Sequence, residues 1–150
     1  MTRRSIIVVE DDPGDQTLLQ LAYDHCGFAH PLKFFNTGEE LLRHIQAPAA
    51  RTDVEQIALV LVDFNIPGVK GDELIARLRV NPSTRSIPAV MLSGSARDVD
   101  IASAYEKGAS GYLRKSLDFT EFTDLIRDTV TFWADHNLLP DRSVARPATV

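Results

Sequence analysis

Leu59-Val60-Leu61-Val62-Asp63 places four consecutive apolar residues directly ahead of a carboxylate. A strand with one wet face alternates apolar and polar side chains. A run that is apolar at every position instead suits a strand covered on both faces, as in a parallel sheet flanked by helices. Ile6-Ile7-Val8-Val9 and Ala89-Val90-Met91-Leu92 read the same way, and Leu32-Lys33-Phe34-Phe35 and Gly111-Tyr112-Leu113 read as further strands. Between them the apolar residues fall at helical spacing: Leu18, Leu19, Ala22 and Cys26; Leu41, Leu42 and Ile45; Leu74, Ile75 and Leu78; and, more weakly, Ile101, Ala104 and Tyr105. Asp12-Pro13 supplies a capping acid followed by proline at the first helical position, and Thr37-Gly38-Glu39-Glu40 resembles a capping box. Gly27 and Gly108 stand where helices should stop.

Strands and helices that alternate in this way predict an α/β fold. Right-handed crossovers then favour a flavodoxin-like, five-stranded parallel sheet of order 2-1-3-4-5 with helices on both faces. The stretch from Ala47 to Gln56, with Pro48 and several small residues, is expected to be a surface loop, and Asp141 to Val150 a loose tail. At 150 residues the chain fits one domain, and its formal charge of −5 gives no general attraction to nucleic acid or to an anionic membrane. A DNA-binding output domain is therefore not expected. The start, Met1-Thr2-Arg3-Arg4-Ser5-Ile6, lacks the pattern of a signal peptide, and no apolar run is long enough for a bilayer, so a cytoplasmic protein is expected. Cys26 reads as a small buried hydrophobe.

In a doubly wound sheet, ligands bind outside the carboxyl ends of the strands. The residues there are Glu10-Asp11-Asp12, Asp63, Ser93-Gly94 and Lys115. Carboxylates crowded at one sheet edge repel one another, and a hard divalent cation such as Mg²⁺ relieves that while leaving room for phosphoryl oxygens. Lys115 adds a compact positive charge and Ser93 a hydroxyl donor. Asp12, followed by Pro13, reads as a helix N-cap rather than a ligand.

Four segments taken in order, Val9-Glu10-Asp11-Asp12, Leu61 through Gly68, Met91-Leu92-Ser93-Gly94 and Gly108 through Lys115, resemble the motifs of response-regulator receiver domains, over residues 5 to about 130. The resemblance implies a CheY-like fold and a receiver spanning residues 1–137, with 138–150 as a C-terminal extension. It implies that Asp63 accepts a phosphoryl group, that Asp11, Asp63 and the Asn65 main-chain carbonyl bind Mg²⁺, and that Glu10 acts on the metal through water. Ser93, the Gly94 backbone N–H and Lys115 would bind phosphoryl oxygens, with Ser93 and Tyr112 as the conformational switch. Such a protein is a phosphoacceptor that catalyses its own phosphorylation and dephosphorylation, not an enzyme acting on a separate substrate.

One departure from the family pattern is Ser116, where most receivers carry proline in a cis peptide bond; a trans bond is expected here. The last helix, from about Asp118 to His136, carries Phe119, Phe122, Leu125, Ile126, Val130, Phe132 and Trp133. At ~100° per residue these cover an arc of roughly 160°, more than one sheet edge requires. The run from Phe132-Trp133 to Leu138-Leu139-Pro140 resembles the extension of stand-alone regulators that pair with bacterial phytochromes. That similarity implies a histidine kinase of the bacteriophytochrome type as phosphodonor, and a homodimer using Phe132, Trp133, Leu138 and Leu139. A chemotaxis-type or relay receiver serving another kinase is the alternative. Haloacid-dehalogenase-like phosphatases also use an aspartate after a strand, but need a second acid two residues on, where Asn65 stands.

Overall fold

In a computed structural model of the chain, which describes residues 4–142, five parallel strands form one sheet in the order β2-β1-β3-β4-β5. They are β1 (Ser5–Val9), β2 (Leu32–Phe35), β3 (Ile57–Val62), β4 (Ala89–Ser93) and β5 (Gly111–Arg114). The three central strands are buried along their whole length, which is why their sequences are apolar at every position but Ser5, which opens β1, and Ser93, which ends β4. Side chains alternate across the sheet. Ile6, Val8, Leu59, Leu61, Val90 and Leu92 pack under α1 (Pro13–Cys26) and α6 (Phe119–Val130). Ile7, Val9, Val60, Val62, Ala89 and Met91 pack under α2 (Gly38–Gln46), α3 (Arg51–Glu55), α4 (Gly71–Val80) and α5 (Asp98–Glu106).

The expected caps form. Asp12 accepts the Asp15 N–H at 2.8 Å, and Thr37 accepts the Glu40 N–H at 3.1 Å while Glu40 reaches back to the Asn36 N–H at 3.0 Å. Gly27 ends α1 at φ +69°, in the left-handed region that a Cβ disfavours.

Several expectations are corrected. Residues 47–56 are not a plain loop: a 3₁₀ turn at Pro48–Ala50 leads into α3, and Ala50 and Val54, four apart, are buried on the core. On α1 the buried face is Leu19, Ala22 and Tyr23, whereas Leu18 is about half exposed. On α5 only Ala104 of the expected stripe is buried, with Tyr105 outside and Asp100 inside. The last helix changes winding at Val130: Thr131–His136 is a π turn, closed by the Asn137 N–H on the Phe132 carbonyl at 2.8 Å. His30 ties that turn to the sheet, lying 2.7 Å from Asp135 and 3.0 Å from the Arg4 carbonyl. Of the expected tail, residues 143–150 lie outside the described residues. Arg142 is not loose, because its guanidinium donates to the Ile57 carbonyl at 2.7 Å and to Ser86 Oγ at 3.2 Å.

One glycine links packing to the site. A Cβ on Gly71, at the start of α4, would lie 2.6 Å from the Asp63 carbonyl oxygen, 3.0 Å from Phe64 Cα and 3.1 Å from Met91 Sδ. Two of these neighbours are backbone, so the chain itself must move. Gly71→Ala is expected to lower stability by about 1–3 kcal/mol in urea melts, as overpacking does, and to shift the Asp63 peptide. An unchanged melting curve would contradict this packing account.

Candidate functional site

The site sits at the carboxyl ends of β1, β3, β4 and β5. Val9 pairs with Val62 across the β1–β3 ladder, and the Asp63 N–H continues it to the Val9 carbonyl at 3.1 Å. The first residues past the two strands, Glu10 and Asp63, therefore emerge side by side. The Gln16 amide braces the turn by donating to the Glu10 carbonyl and, at 2.8 Å, to Asn36. Carboxylate oxygens of Glu10, Asp11 and Asp63 all lie within 4.8 Å of one another. Asn65, exposed in the next turn, donates its N–H to Asp63 Oδ1 at 3.2 Å.

Glu10 is buried, and neither of its oxygens has a hydrogen-bond partner. Burial first, then the facing Asp63 and Asp15 carboxyls, push its pKa well above the usual carboxylate range, against the pull of Lys115. A buried, orphaned acid oxygen beside two further carboxylates is the donor set that a hard, oxygen-seeking cation such as Mg²⁺ fits. Glu10, Asp11 and Asp63 are the residues that could hold it.

Lys115 follows β5, and its backbone N–H reaches the Ser93 carbonyl at 2.8 Å. Its ammonium lies 3.5 Å from Asp15, 3.6 Å from Glu10 and 3.7 Å from Asp63. Burial works against this charge, but Asp63, Glu10 and Asp15 outweigh it and raise the Lys115 pKa. The Lys115–Ser116 bond is trans, like every peptide bond among the described residues.

Ser93 is fully buried at the end of β4, and its hydroxyl accepts the Ser95 N–H at 3.1 Å, which leaves its own proton free to be donated. Gly94 is exposed next to it. Tyr112 packs against the core with its hydroxyl on the Ser95 carbonyl at 3.0 Å, so its ring already points inward. Ser95 also donates to Asp100 at 2.6 Å, and Arg97 clamps the same carboxylate at 3.0 and 3.1 Å.

The structure thus brings Glu10, Asp11, Asp63 and Lys115 together, with Ser93 at the end of the neighbouring strand and Asp12 as the cap of α1. Two residues escaped the sequence reading. Asp15, in the first turn of α1, reaches Lys115; its spacing of three from the capping Asp12 was the available signal. Ser95 gave none: Ser93 and Asp100 lie within five residues of it, but only the fold brings the Tyr112 hydroxyl to its carbonyl. Phe132 and Leu138 are exposed, whereas Trp133 and Leu139 lie partly against this chain's own core. An open cavity of about 160 Å³ adjoins the acids, walled by Leu18, Leu19, Leu61, Leu92, Leu117 and Phe122. No described helix is long and apolar enough to cross a membrane.

Comparison with known proteins agrees with this geometry. The response regulator Rcp1 of Synechocystis is 27% identical over 135 residues, covering 90% of this chain and 92% of Rcp1. A Mn²⁺-bound form of Rcp1 superposes with a TM-score of 0.78 over 91% of this chain and 99% of that one, at 27% identity. The phosphorylated cyanobacterial phytochrome response regulator RcpA gives a TM-score of 0.82 at 26% identity, covering 93% of this chain and 99% of its own. RPA3017, a response regulator in red light signalling of R. palustris, gives 0.82 at 28%, covering 91% and 98%. Residues 6–127 match the family described as the response regulator receiver domain. With the sheet order, the acid cluster and the lysine in place along that match, the chain belongs to the response regulator receiver family.

Proposed function

We propose that this chain is a phosphoacceptor receiver of a two-component relay, with Asp63 as the nucleophile. The reading rests above all on one observation: the Asp63 carboxylate lies beside Glu10, a buried acid with no hydrogen-bond partner, and 3.7 Å from the Lys115 ammonium, at the mouth of the sheet. An Asp63 carboxylate oxygen forms a bond to the phosphorus of a phosphohistidine as the P–N bond breaks, and the bonding pair leaves with the imidazole nitrogen. The product is an acyl phosphate on Asp63. Lys115 binds a phosphoryl oxygen, and Ser93 and the Gly94 N–H bind others. Mg²⁺ held by Asp11, Asp63 and the Asn65 carbonyl, with Glu10 acting through water, would neutralise charge on the transferring group. Ser93, donating to the phosphoryl group while still accepting from Ser95, would carry the change to the loop that Tyr112 and Asp100 hold.

Likeness to phytochrome response regulators supports a bacteriophytochrome-type histidine kinase as donor, acting in the cytoplasm. Residues 1–137 form the receiver and 138–150 its extension. The exposed Phe132 and Leu138 support a homodimer along the last helix, with Trp133 and Leu139 at its edge. Phosphoramidate with Mg²⁺ is expected to label the protein, and chelation to stop it. Phosphotransfer profiling should single out a phytochrome-type kinase, with the mass in solution read with and without donor. Preference for a chemotaxis-type or relay kinase would overturn the choice of donor, and a monomer throughout would overturn the dimer.

A further inference from the structure

We infer that Asp15 is a positioning residue for Lys115, the partner that anchors its ammonium once the other acids of the site are engaged. This rests on the phosphoacceptor reading of Asp63. Lys115 Nζ has three N–H donors and faces three carboxylates, Asp15 at 3.5 Å, Glu10 at 3.6 Å and Asp63 at 3.7 Å. Two of them, Glu10 and Asp63, belong with Asp11 to the set that fits a divalent cation, and Asp63 is also the residue that changes chemically. With a cation bound, both would be engaged away from the lysine. Asp15 would not be. It comes from α1 rather than from a strand end, and its backbone is fixed by its N–H on Asp12 at 2.8 Å. Its carboxylate also lies within 4.8 Å of Glu10 and Asp12, but Asp12 is exposed and committed to capping α1.

A lysine stem is flexible, and an ammonium without a fixed counter-charge would spread over the open cavity beside it, whose walls away from the acids are mostly apolar. Asp15 restricts it to the acid side of that cavity. It also keeps the ammonium from competing with a metal for Asp63. The role is positional: Asp15 acts through Lys115 and touches no reacting atom.

The test is a double-mutant cycle read by two methods. Asp15→Asn should lower the maximal rate of labelling by phosphoramidate at saturating Mg²⁺ about tenfold, less than the loss of an oriented donor outright, with little change in the donor concentration for half-maximal rate. In a Lys115→Met background the same change should cost nothing further. Asp15→Glu, whose carboxylate still reaches a flexible ammonium, should recover most of the rate. In proton–nitrogen spectra the Lys115 ammonium signal, identified by its loss in Lys115→Met, should survive Mg²⁺ in the wild type and broaden away in Asp15→Asn. An equal loss in both backgrounds would mean a plain charge effect and overturn the inference, as would an ammonium signal in Asp15→Asn that persists with Mg²⁺. If Asp15→Asn labels at the wild-type rate while Asp63→Asn stays blank, only the role of Asp15 is lost. Labelled Asp63→Asn would instead sink the phosphoacceptor reading itself.

Discussion

Asp63→Asn protein is expected to take up no phosphoryl group from phosphoramidate, acetyl phosphate or a phosphorylated kinase. An amide oxygen carries no net charge and is a poor nucleophile, and no other acid in the cluster is placed to substitute. Glu10 is buried, Asp11 is exposed at the edge, and Asp15 is engaged with Lys115. Loss of a nucleophile should reduce labelling by more than about a thousandfold. The protein should nonetheless fold, since removing one carboxylate from a crowded group relieves repulsion rather than breaking a core contact. The thermal midpoint without metal is expected to be no lower than that of the wild type. Radiolabel on the gel-purified variant, at any donor concentration, would show that the acceptor lies elsewhere.

Lys115→Met should have the next largest effect. Methionine fills similar space but brings no charge, so Asp15, Glu10 and Asp63 lose their common cation and the phosphoryl oxygens lose a donor. Removal of one preorganised donor to developing negative charge costs about 10²–10³ in rate. The labelling rate is expected to fall by that amount, measured by single-turnover transfer from acetyl phosphate with saturating Mg²⁺. Mg²⁺ itself should bind more tightly, because the ammonium no longer shares Glu10 and Asp63 with it. A titration showing weaker Mg²⁺ binding, or a rate within a few-fold of wild type, would remove Lys115 from the role assigned here.

Apolar periodicity is a local property, and it was enough to locate all five strands and most of the helices. The runs at Ile6, Leu59 and Ala89 are apolar at every position because helices cover both faces of the sheet. The acids that end two of these runs follow from the same logic, since a carboxylate has no place within a strand buried on both sides and falls at its mouth. The caps at Asp12 and Thr37 were legible too, because each is decided within four residues.

Other features depend on contacts between distant parts of the chain. Leu18 and Leu19 are equally apolar, and which of them is buried follows from how α1 leans on the sheet, about 100° of rotation apart. Five-residue α3 is too short to be stable from propensity, and holds because Ala50 and Val54 are buried on the core. Trp133 sits partly inside because the π turn alters the direction of the helix end. The same holds at the site. That Glu10, Asp63, Ser93 and Lys115 stand at strand ends was legible in the sequence, because strand burial and side-chain charge settle it locally. The fold alone makes Asp15 a partner of Lys115, 100 residues on, and brings the Tyr112 hydroxyl to the Ser95 carbonyl from 17 residues away, because those pairs meet only when the sheet closes.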